Sequence, residues 1–225
     1  EGSALYIRPL MFAMDEMVGV KPSDTFKFLI ILLPVGPYYP KPIKLLVEHH
    51  YIRAAQGGVG EAKTAGNYAA AMYPSKLARE KGFDQILWLD AVHHKFVQEV
   101  GTMNIFFVFN DEVVTPATSG TILKGITRIS AIDILREEGY KVRERELSID
   151  EVLSRHEAGE LVEVFGTGTA ALIANVEEGM RYTLEDYAKA HASQTQIYQR
   201  MQEFFRHHDL LVTPGITTAP FAWTT

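Results

Sequence analysis

The sequence predicts a mixed α/β domain with a substantially antiparallel or barrel-like sheet, followed by an appended long helix and a tail. Three observations support this fold class. First, β-rich runs and helical patterns are interspersed without the strict period of a parallel strand–helix–strand sheet. Second, the region after residue 175 contains one long helical pattern and a proline-bearing end. Third, 225 residues of which 47% are hydrophobic suffice for one good core and a small appendage.

Six runs rich in β-branched and other apolar residues predict strands. They cover residues 4–12, 26–33, 43–52, 85–90, 104–109 and 140–146. Helical patterns cover residues 68–81, 128–138 and 149–156. Gly82 and Gly139 follow the first two patterns and are natural C′ residues. Because Pro74 interrupts the first pattern, that helix starts either near Tyr68 or at the proline itself.

Composition and charge exclude several classes of function. The chain has 22 basic and 28 acidic residues, and a net charge of −6 argues against nucleic acid and anionic membranes as partners. The longest apolar run, residues 28–35, is too short to span a bilayer, and no secretory signal opens the sequence. The absence of cysteine excludes disulfides and is compatible with the cytoplasm, where we expect the protein.

No metal site is expected from the histidines. They include three adjacent pairs, at residues 49–50, 93–94 and 207–208. Neighbouring side chains on a strand or a helix point in different directions, so no pair is a ready chelate, and no ligand set of the usual spacing accompanies them.

The most informative run is Glu-Ala-Lys-Thr-Ala-Gly-Asn-Tyr at residues 61–68, directly after a Gly-Gly-Val-Gly turn. It places Lys63 among small residues that would let a flat cofactor approach the backbone. A lysine that attacks a carbonyl must be partly desolvated, so that its neutral amine is populated near pH 7. Taken alone, the run also fits a solvated surface lysine, because lysine is rarely buried.

Four further motifs accompany the lysine run. They are Leu-Tyr-Ile-Arg-Pro at 5–9, Gln-Glu-Val-Gly-Thr-Met-Asn at 98–104, Gly-Ile-Thr-Arg at 125–128 and Phe-Gly-Thr-Gly-Thr-Ala-Ala at 165–171. In this order the five motifs resemble the branched-chain amino-acid aminotransferases, which have fold type IV of the pyridoxal 5′-phosphate (PLP) enzymes. The resemblance covers residues 1 to about 174. It implies PLP-dependent transamination of leucine, isoleucine or valine with 2-oxoglutarate.

The resemblance assigns roles around the cofactor ring. Lys63 would bind the cofactor aldehyde covalently and shuttle the substrate α-proton, and Tyr68 would hydrogen-bond the cofactor 3-oxygen. Glu99 would keep the pyridine nitrogen protonated, which the electron-sink chemistry requires. A buried glutamate needs a cationic partner. The alternative reading places Glu99 at an exposed position of an alternating strand.

The resemblance also assigns the phosphate and substrate contacts. Ile126 and Thr127 would bind the phosphate at the start of a helix, where free backbone N–H groups favour an anion. Thr169 would contact the phosphate and the substrate, and the Ala170 amide would lie near the substrate carboxylate. Tyr6 and Arg8 would line the substrate pocket, and at positions i and i+2 of a strand they share a face.

The resemblance divides the chain into an interdomain segment at residues 1–16, a PLP-binding large domain at 17–175 and an appended segment at 176–225. The last segment resembles the C-terminal part of amidase-signature hydrolases, and its helix is expected to run over about 184–205. No counterpart of the family's smaller N-terminal domain precedes Tyr6, and no initiator methionine is present, so we expect a fragment. The alternative function is therefore a non-catalytic truncated or fused piece with at most weak PLP binding. A homodimer is expected if the family interface survives.

Overall fold

The computed structural model describes residues 4–35, 42–168 and 172–175. The chain divides into two compact units, Glu1–Pro40 and Lys41–Thr225. The end of the predicted interdomain segment, residue 16, falls inside the first unit and between its two strands. The helix and the tail predicted in residues 176–225 lie outside the described residues.

The described part of the first unit is a β-hairpin. Strands β1 (Ala4–Ala13) and β2 (Phe26–Val35) pair antiparallel over their whole length. Asp15 stabilises the connection, since its carboxylate accepts hydrogen bonds from the backbone N–H groups of Asp24 and Thr25, both 3.0 Å long. Apolar side chains on both faces of the hairpin are exposed, among them Ile7 and Phe12.

The second unit contains a three-stranded sheet built on a strand–helix–strand connection. Strands β3 (Leu45–Glu48) and β4 (Gln85–Leu89) are parallel, and helix α1 (Ala65–Glu80) connects them. Strand β5 (Val97–Val100) pairs antiparallel with β4 on its other side. A parallel pair needs such a crossover of a dozen or more residues, so α1 and the loop before it follow from the pairing.

The described part of the second unit also contains a five-stranded sheet. Its strands are β6 (Asn104–Phe109), β7 (Val113–Thr115), β8 (Val142–Glu144), β9 (Leu161–Gly168) and β10 (Leu172–Asn175), in the order β10-β9-β6-β7-β8. Among the strand pairs of this five-stranded sheet, only β7 and β8 are parallel. Helices α2 (Ile126–Glu137) and α3 (Ile149–Glu157) also belong to the described part of this unit.

Two apolar clusters fix the helices on their sheets. Helix α1 packs on β4 through a cluster that includes Ala78 and Trp88, neither of which is accessible to solvent. Helix α2 contributes Ile132 to a second cluster with Phe106 and Phe165, whose rings stack with their centres 4.9 Å apart. Such burial of large apolar groups is the main stabilising contribution in a core. The start of each helix is thereby held at a defined place.

The structure confirms the mixed α/β class and its mainly antiparallel pairing. Gly82 and Gly139 both have positive φ and follow the C-caps of α1 and α2, as predicted. Helix α1 begins at Ala65 and continues past Pro74, a residue that is buried. The described strands form three separate open sheets, not a closed barrel. Within the described residues, no helix is long and apolar enough to cross a membrane.

Candidate active site

A cavity that is partly open to solvent lies where the start of α1 meets the end of β5 and the segment before α2. Three of the sequence-predicted residues line it: Lys63, Tyr68 and Glu99. The other lining residues are Arg53, Gly60, Ala62, Asn67, Ala71, Gly101, Thr102 and Leu123. The structure therefore brings together an amine, a phenol and a carboxylate that are up to 36 positions apart in the sequence.

The turn that carries Lys63 is fixed from two sides. The Asn67 side-chain amide, in the first turn of α1, donates to the carbonyl oxygens of Val59 at 2.8 Å and Ala62 at 2.9 Å. On the other side, Gly60 packs so closely that an added Cβ would lie 2.6 Å from the Thr121 carbonyl oxygen. The small residues of this turn thus permit close approach of two backbone segments, and Lys63 projects from a well-defined place.

Lys63 and Tyr68 lie close to each other at the start of α1. The Lys63 Nζ atom is 5.7 Å from the centre of the Tyr68 ring, within the range of a cation–π contact. Both side chains are exposed, Tyr68 to 36%. The amine is consequently accessible to a ligand, and the desolvation expected for a reactive lysine is absent from the site as it stands.

Glu99 is buried, with 4% of its surface exposed. Its Oε1 atom accepts a 2.9 Å hydrogen bond from the backbone N–H of Leu123, and its Oε2 atom lies 3.4 Å from Arg53 Nε. The alternative reading of Glu99 as an exposed strand position is therefore wrong. Its neighbour Val100 is also buried, because β5 is covered on both faces.

The environment of Glu99 perturbs its protonation. Burial raises the pKa of the carboxyl above its ordinary value, because the charged form is poorly solvated. The Arg53 guanidinium, the Leu123 N–H and the Lys63 ammonium group act in the opposite direction and lower this pKa. The net effect is a raised pKa, so the site contains a carboxyl whose charge depends on its cationic neighbours.

The start of helix α2 is connected to the same cavity through Leu123. The carbonyl oxygen of Leu123 accepts hydrogen bonds from the Asn104 side chain at 2.9 Å and from the Gly125 N–H at 2.8 Å. Gly125 is the N-cap residue, with no side-chain cap, and the first turn contains no acidic residue. Ile126 and Thr127 follow directly. They do not line the cavity, but the helix start offers backbone donors of the kind that bind anions.

The remaining predicted residues are outside this cluster. Arg8 donates a 3.1 Å hydrogen bond to the Tyr6 hydroxyl, which confirms that the two share a face of β1. They belong to the first unit, and their place in a substrate pocket stays a prediction. Thr169 and Ala170 lie outside the described residues. Across the described ranges, no group of three or more His, Asp or Glu residues could hold a metal ion.

Sequence reasoning missed three residues of the site: Arg53, Asn67 and Leu123. Asn67 stands inside the most informative run, and its position at the start of a helix is typical of an amide that bonds to nearby backbone groups. Arg53 and Leu123 have no comparable local signal. Their contacts with Glu99 depend on pairs of segments separated by 46 and 24 positions, respectively.

Comparison with known proteins gives a consistent result. The family model described as amino-transferase class IV matches residues 1–178. Branched-chain-amino-acid transaminase 1 of Bacillus subtilis (strain 168) is 55% identical over 182 residues, which are 79% of this chain and 51% of that protein. A probable branched-chain-amino-acid aminotransferase of Staphylococcus aureus (strain MRSA252) is 53% identical over 180 residues, 78% of this chain and 50% of that protein. The chain thus spans about half the length of these curated relatives.

Solved structures show the same similarity. An aminotransferase from Brucella abortus, bound to the cofactor PLP, has a TM-score of 0.71 at 29% identity and covers 88% of this chain and 68% of its own. The branched-chain amino acid aminotransferase from Escherichia coli has a TM-score of 0.61 at 31% identity, covering 76% of this chain and 55% of its own.

Proposed function

We propose, because the chain belongs to the class IV aminotransferase family, that it binds PLP and carries the transamination of leucine, isoleucine and valine with 2-oxoglutarate. The observation that carries this proposal is the single cavity lined by Lys63, Tyr68 and Glu99. The names of the curated relatives support the substrate class, and the Brucella abortus structure supports the cofactor.

The residues present fit PLP. The cofactor has an aldehyde, a pyridine nitrogen, a phenolic oxygen and a phosphate, and the site has a matching group for each. An accessible amine is provided by Lys63, a phenol by Tyr68, and a buried carboxylate by Glu99. The uncapped start of α2, at Ile126 and Thr127, would provide donors for the phosphate, and we propose Thr169 as a further contact. When bound, PLP supplies an electron sink for the bond-breaking steps at the substrate α-carbon.

Glu99 sets the electrostatics of the site. Its carboxylate would hold the proton on the pyridine nitrogen, because a buried negative charge strongly favours a cation beside it. Each carboxylate oxygen has two lone pairs, so the contacts with Leu123 and Arg53 leave acceptor positions for a pyridinium N–H.

Lys63 would have two tasks, both of which need a mobile but well-placed amine. It would form the covalent bond to the cofactor aldehyde, and after release by substrate its neutral amine would move the proton at the α-carbon. The hydrogen bonds from Asn67 to the turn at residues 59–62 fix the backbone before Lys63, while the exposed Lys63 side chain can still change conformation. Tyr68 would donate to the cofactor 3-oxygen and orient the ring beside this amine.

The substrate contacts extend the proposal beyond the cavity. Tyr6 and Arg8 would line the pocket for the branched side chain and the carboxylates, and Thr169 and the Ala170 amide would bind the substrate as well. The partners are an amino acid and a 2-oxo acid. We propose a cytoplasmic enzyme that forms a homodimer through the family interface.

The alternative function is a non-catalytic piece that binds PLP at most weakly. The exposure of Lys63 favours it, because catalysis requires water exclusion and a fixed orientation of the reacting groups. Residues 176–225 stay outside both proposals. Their resemblance to the end of an amidase-signature hydrolase remains a prediction, and the family match stops at residue 178.

A single-turnover experiment separates the two functions. The purified chain is mixed with PLP, the visible absorbance is recorded, and leucine is added without 2-oxoglutarate. An enzyme converts the visible band and releases the branched 2-oxo acid in a stoichiometric amount. A visible band that leucine does not alter would favour the non-catalytic alternative. The variant Lys63→Ala should show neither effect, whereas Lys76→Ala, which changes an exposed lysine of α1, should behave as wild type.

A further inference from the structure

We propose that Arg53 is a positioning residue of this site: its guanidinium favours the ionised form of the Glu99 carboxylate and also connects the turn before Lys63 to the segment before α2. The effect of Arg53 on PLP binding rests on the proposed function. Its effects on Glu99 ionisation and on the turn before Lys63 concern the protein without cofactor and can be measured there.

Arg53 contacts all three segments that form the cavity. Its side chain is 9% exposed, and its Nε atom lies 3.4 Å from Glu99 Oε2 on β5. Its Nη1 and Nη2 atoms donate to the Gly60 carbonyl oxygen at 3.5 and 3.4 Å. Nη2 also donates to the carbonyl oxygen of Thr121. One buried cation therefore connects the turn before Lys63, the carboxylate and the segment that leads into α2.

Arg53 and Glu99 interact mainly through their opposite charges, and less through a hydrogen bond. Arg53 Nε is buried and has no hydrogen-bond partner among the described residues, although the carboxylate oxygen is only 3.4 Å away. Two opposite charges at this distance in a poorly solvated site still attract strongly. Without a cation, a carboxyl as buried as Glu99 would retain its proton at higher pH.

The other ionisable groups around Glu99 cannot replace Arg53. Lys63 also favours the charged carboxylate, but its amine is the group that would react with the cofactor and would then lose its fixed charge. Tyr68 lines the same cavity and offers a phenol, which is not a cation. Glu61 and Lys124, on the two neighbouring loops, lie 3.9 Å apart as a partly exposed pair. Arg53 is thus the permanent cation of the site within the described part of the chain.

Arginine has two properties here that lysine does not share. Its planar guanidinium carries five N–H donors in a fixed fork, so it can face a carboxylate and two carbonyl oxygens together. A lysine would supply the charge but could not hold both Gly60 and Thr121 in the same geometry. Two substitutions of Arg53 can therefore separate the effect of its charge from the effect of its hydrogen-bonding geometry.

The test compares Arg53→Gln, which removes the charge, with Arg53→Lys, which retains it. The titration of Glu99 is followed in the cofactor-free chain by NMR of glutamate side chains labelled with ¹³C, and hydrogen exchange reports on the amides of residues 57–62. Arg79→Gln is the matched control, because Arg79 is an exposed residue of α1 whose side chain has one described hydrogen bond, to the Ser75 carbonyl oxygen.

We expect the pKa of Glu99 to shift upward in Arg53→Gln and to stay near the wild-type value in Arg53→Lys and Arg79→Gln. Exchange at residues 57–62 should become faster in both Arg53 variants and not in the control. An unchanged Glu99 titration in folded Arg53→Gln would overturn the proposal. If Arg53→Gln does not fold, Arg53→Lys decides: faster exchange with unchanged Glu99 titration supports the proposal, and unchanged exchange contradicts it.

The consequence for the cofactor is tested separately. At neutral pH we expect Arg53→Gln to bind PLP roughly tenfold to a hundredfold more weakly than wild type, the loss seen at metal sites when a group that orients a ligand side chain is removed. Equal PLP affinity in both proteins would contradict this consequence. Failure of the wild-type chain to bind PLP would count against the proposed function. The role of Arg53 would then be judged from the Glu99 titration and the hydrogen exchange alone.

Discussion

The side-chain amide of Asn67 donates a 2.9 Å hydrogen bond to the carbonyl oxygen of Ala62, the residue before the candidate reactive lysine. The same nitrogen donates to Val59 at 2.8 Å, so one amide group closes the turn onto the first turn of α1. The position of Lys63 therefore depends on where α1 begins. Because α1 in turn packs on β4, the core of the domain determines where the amine projects.

Replacement of Asn67 should loosen this turn. Asn67→Ala loses two hydrogen bonds and should lower the free energy of unfolding by about 1–2 kcal/mol. Asn67→Asp should lower it further at neutral pH, because a carboxylate only accepts and would face two carbonyl oxygens. Urea unfolding measures both changes, and Asn110→Ala, at an exposed loop position, is the control. An Asn67→Asp variant as stable as wild type would show that the amide does not hold the turn.

Glu99→Gln tests the electrostatic role of the buried carboxyl. The substitution preserves the shape of the side chain but removes the charge that would hold the proton on the cofactor nitrogen. We expect the single-turnover rate with leucine to fall by roughly a hundredfold or more, as when a preorganised electrostatic partner is lost. Rapid mixing with detection in the visible measures this rate. A near-normal rate would mean that Glu99 is a structural residue of β5 only.

Asp90 should contribute to stability in a pH-dependent way. It begins the turn after β4, where its carboxylate accepts hydrogen bonds from the N–H groups of Val92, His93, Lys95 and Phe96. Partial burial raises its pKa, but these hydrogen bonds outweigh it and lower the pKa from 3.8 to about 2. Since the pKa is depressed in the folded state, this stabilisation is present above pH 3.8 and is lost as the pH falls through about 2.

The corresponding measurement compares wild type with Asp90→Asn. At pH 7 the variant should be less stable by about 1–3 kcal/mol, because the backbone donors lose a charged acceptor. The difference should shrink as the pH falls below 4 in urea-unfolding experiments. A difference that does not depend on pH would show that the carboxylate charge is not what stabilises the turn.

Much of the candidate site could be predicted from the sequence because its reactive residues stand in short motifs. Lys63, Tyr68 and Glu99 were expected near one cofactor, and the structure places all three on one cavity. Arg53 could not be found this way. Nothing in its neighbourhood indicates burial, and its role arises from contacts that form only when three distant segments meet.

The limits of the fold prediction have similar causes. Strand β7 has only three residues, too few to show an alternation. Strand β9 contains Glu163, Gly166 and Gly168, residue types that are depleted in strands, and it forms because β6 and β10 pair on either side of it. Pro74 suggested a helix break, yet packing of α1 against the core outweighs the local cost of a proline in the helix interior.

The most direct test of the account is the site of covalent attachment of PLP. The chain is incubated with PLP, reduced with borohydride, digested and mapped by mass spectrometry. We predict that the pyridoxyl group is found on Lys63, and that it is absent from Lys63→Ala and retained in Lys76→Ala, since Lys76 is an exposed lysine in the second half of α1 and does not line the cavity. Labelling spread over surface lysines, or labelling that survives unchanged in Lys63→Ala, would contradict the assignment of this cavity as a PLP site.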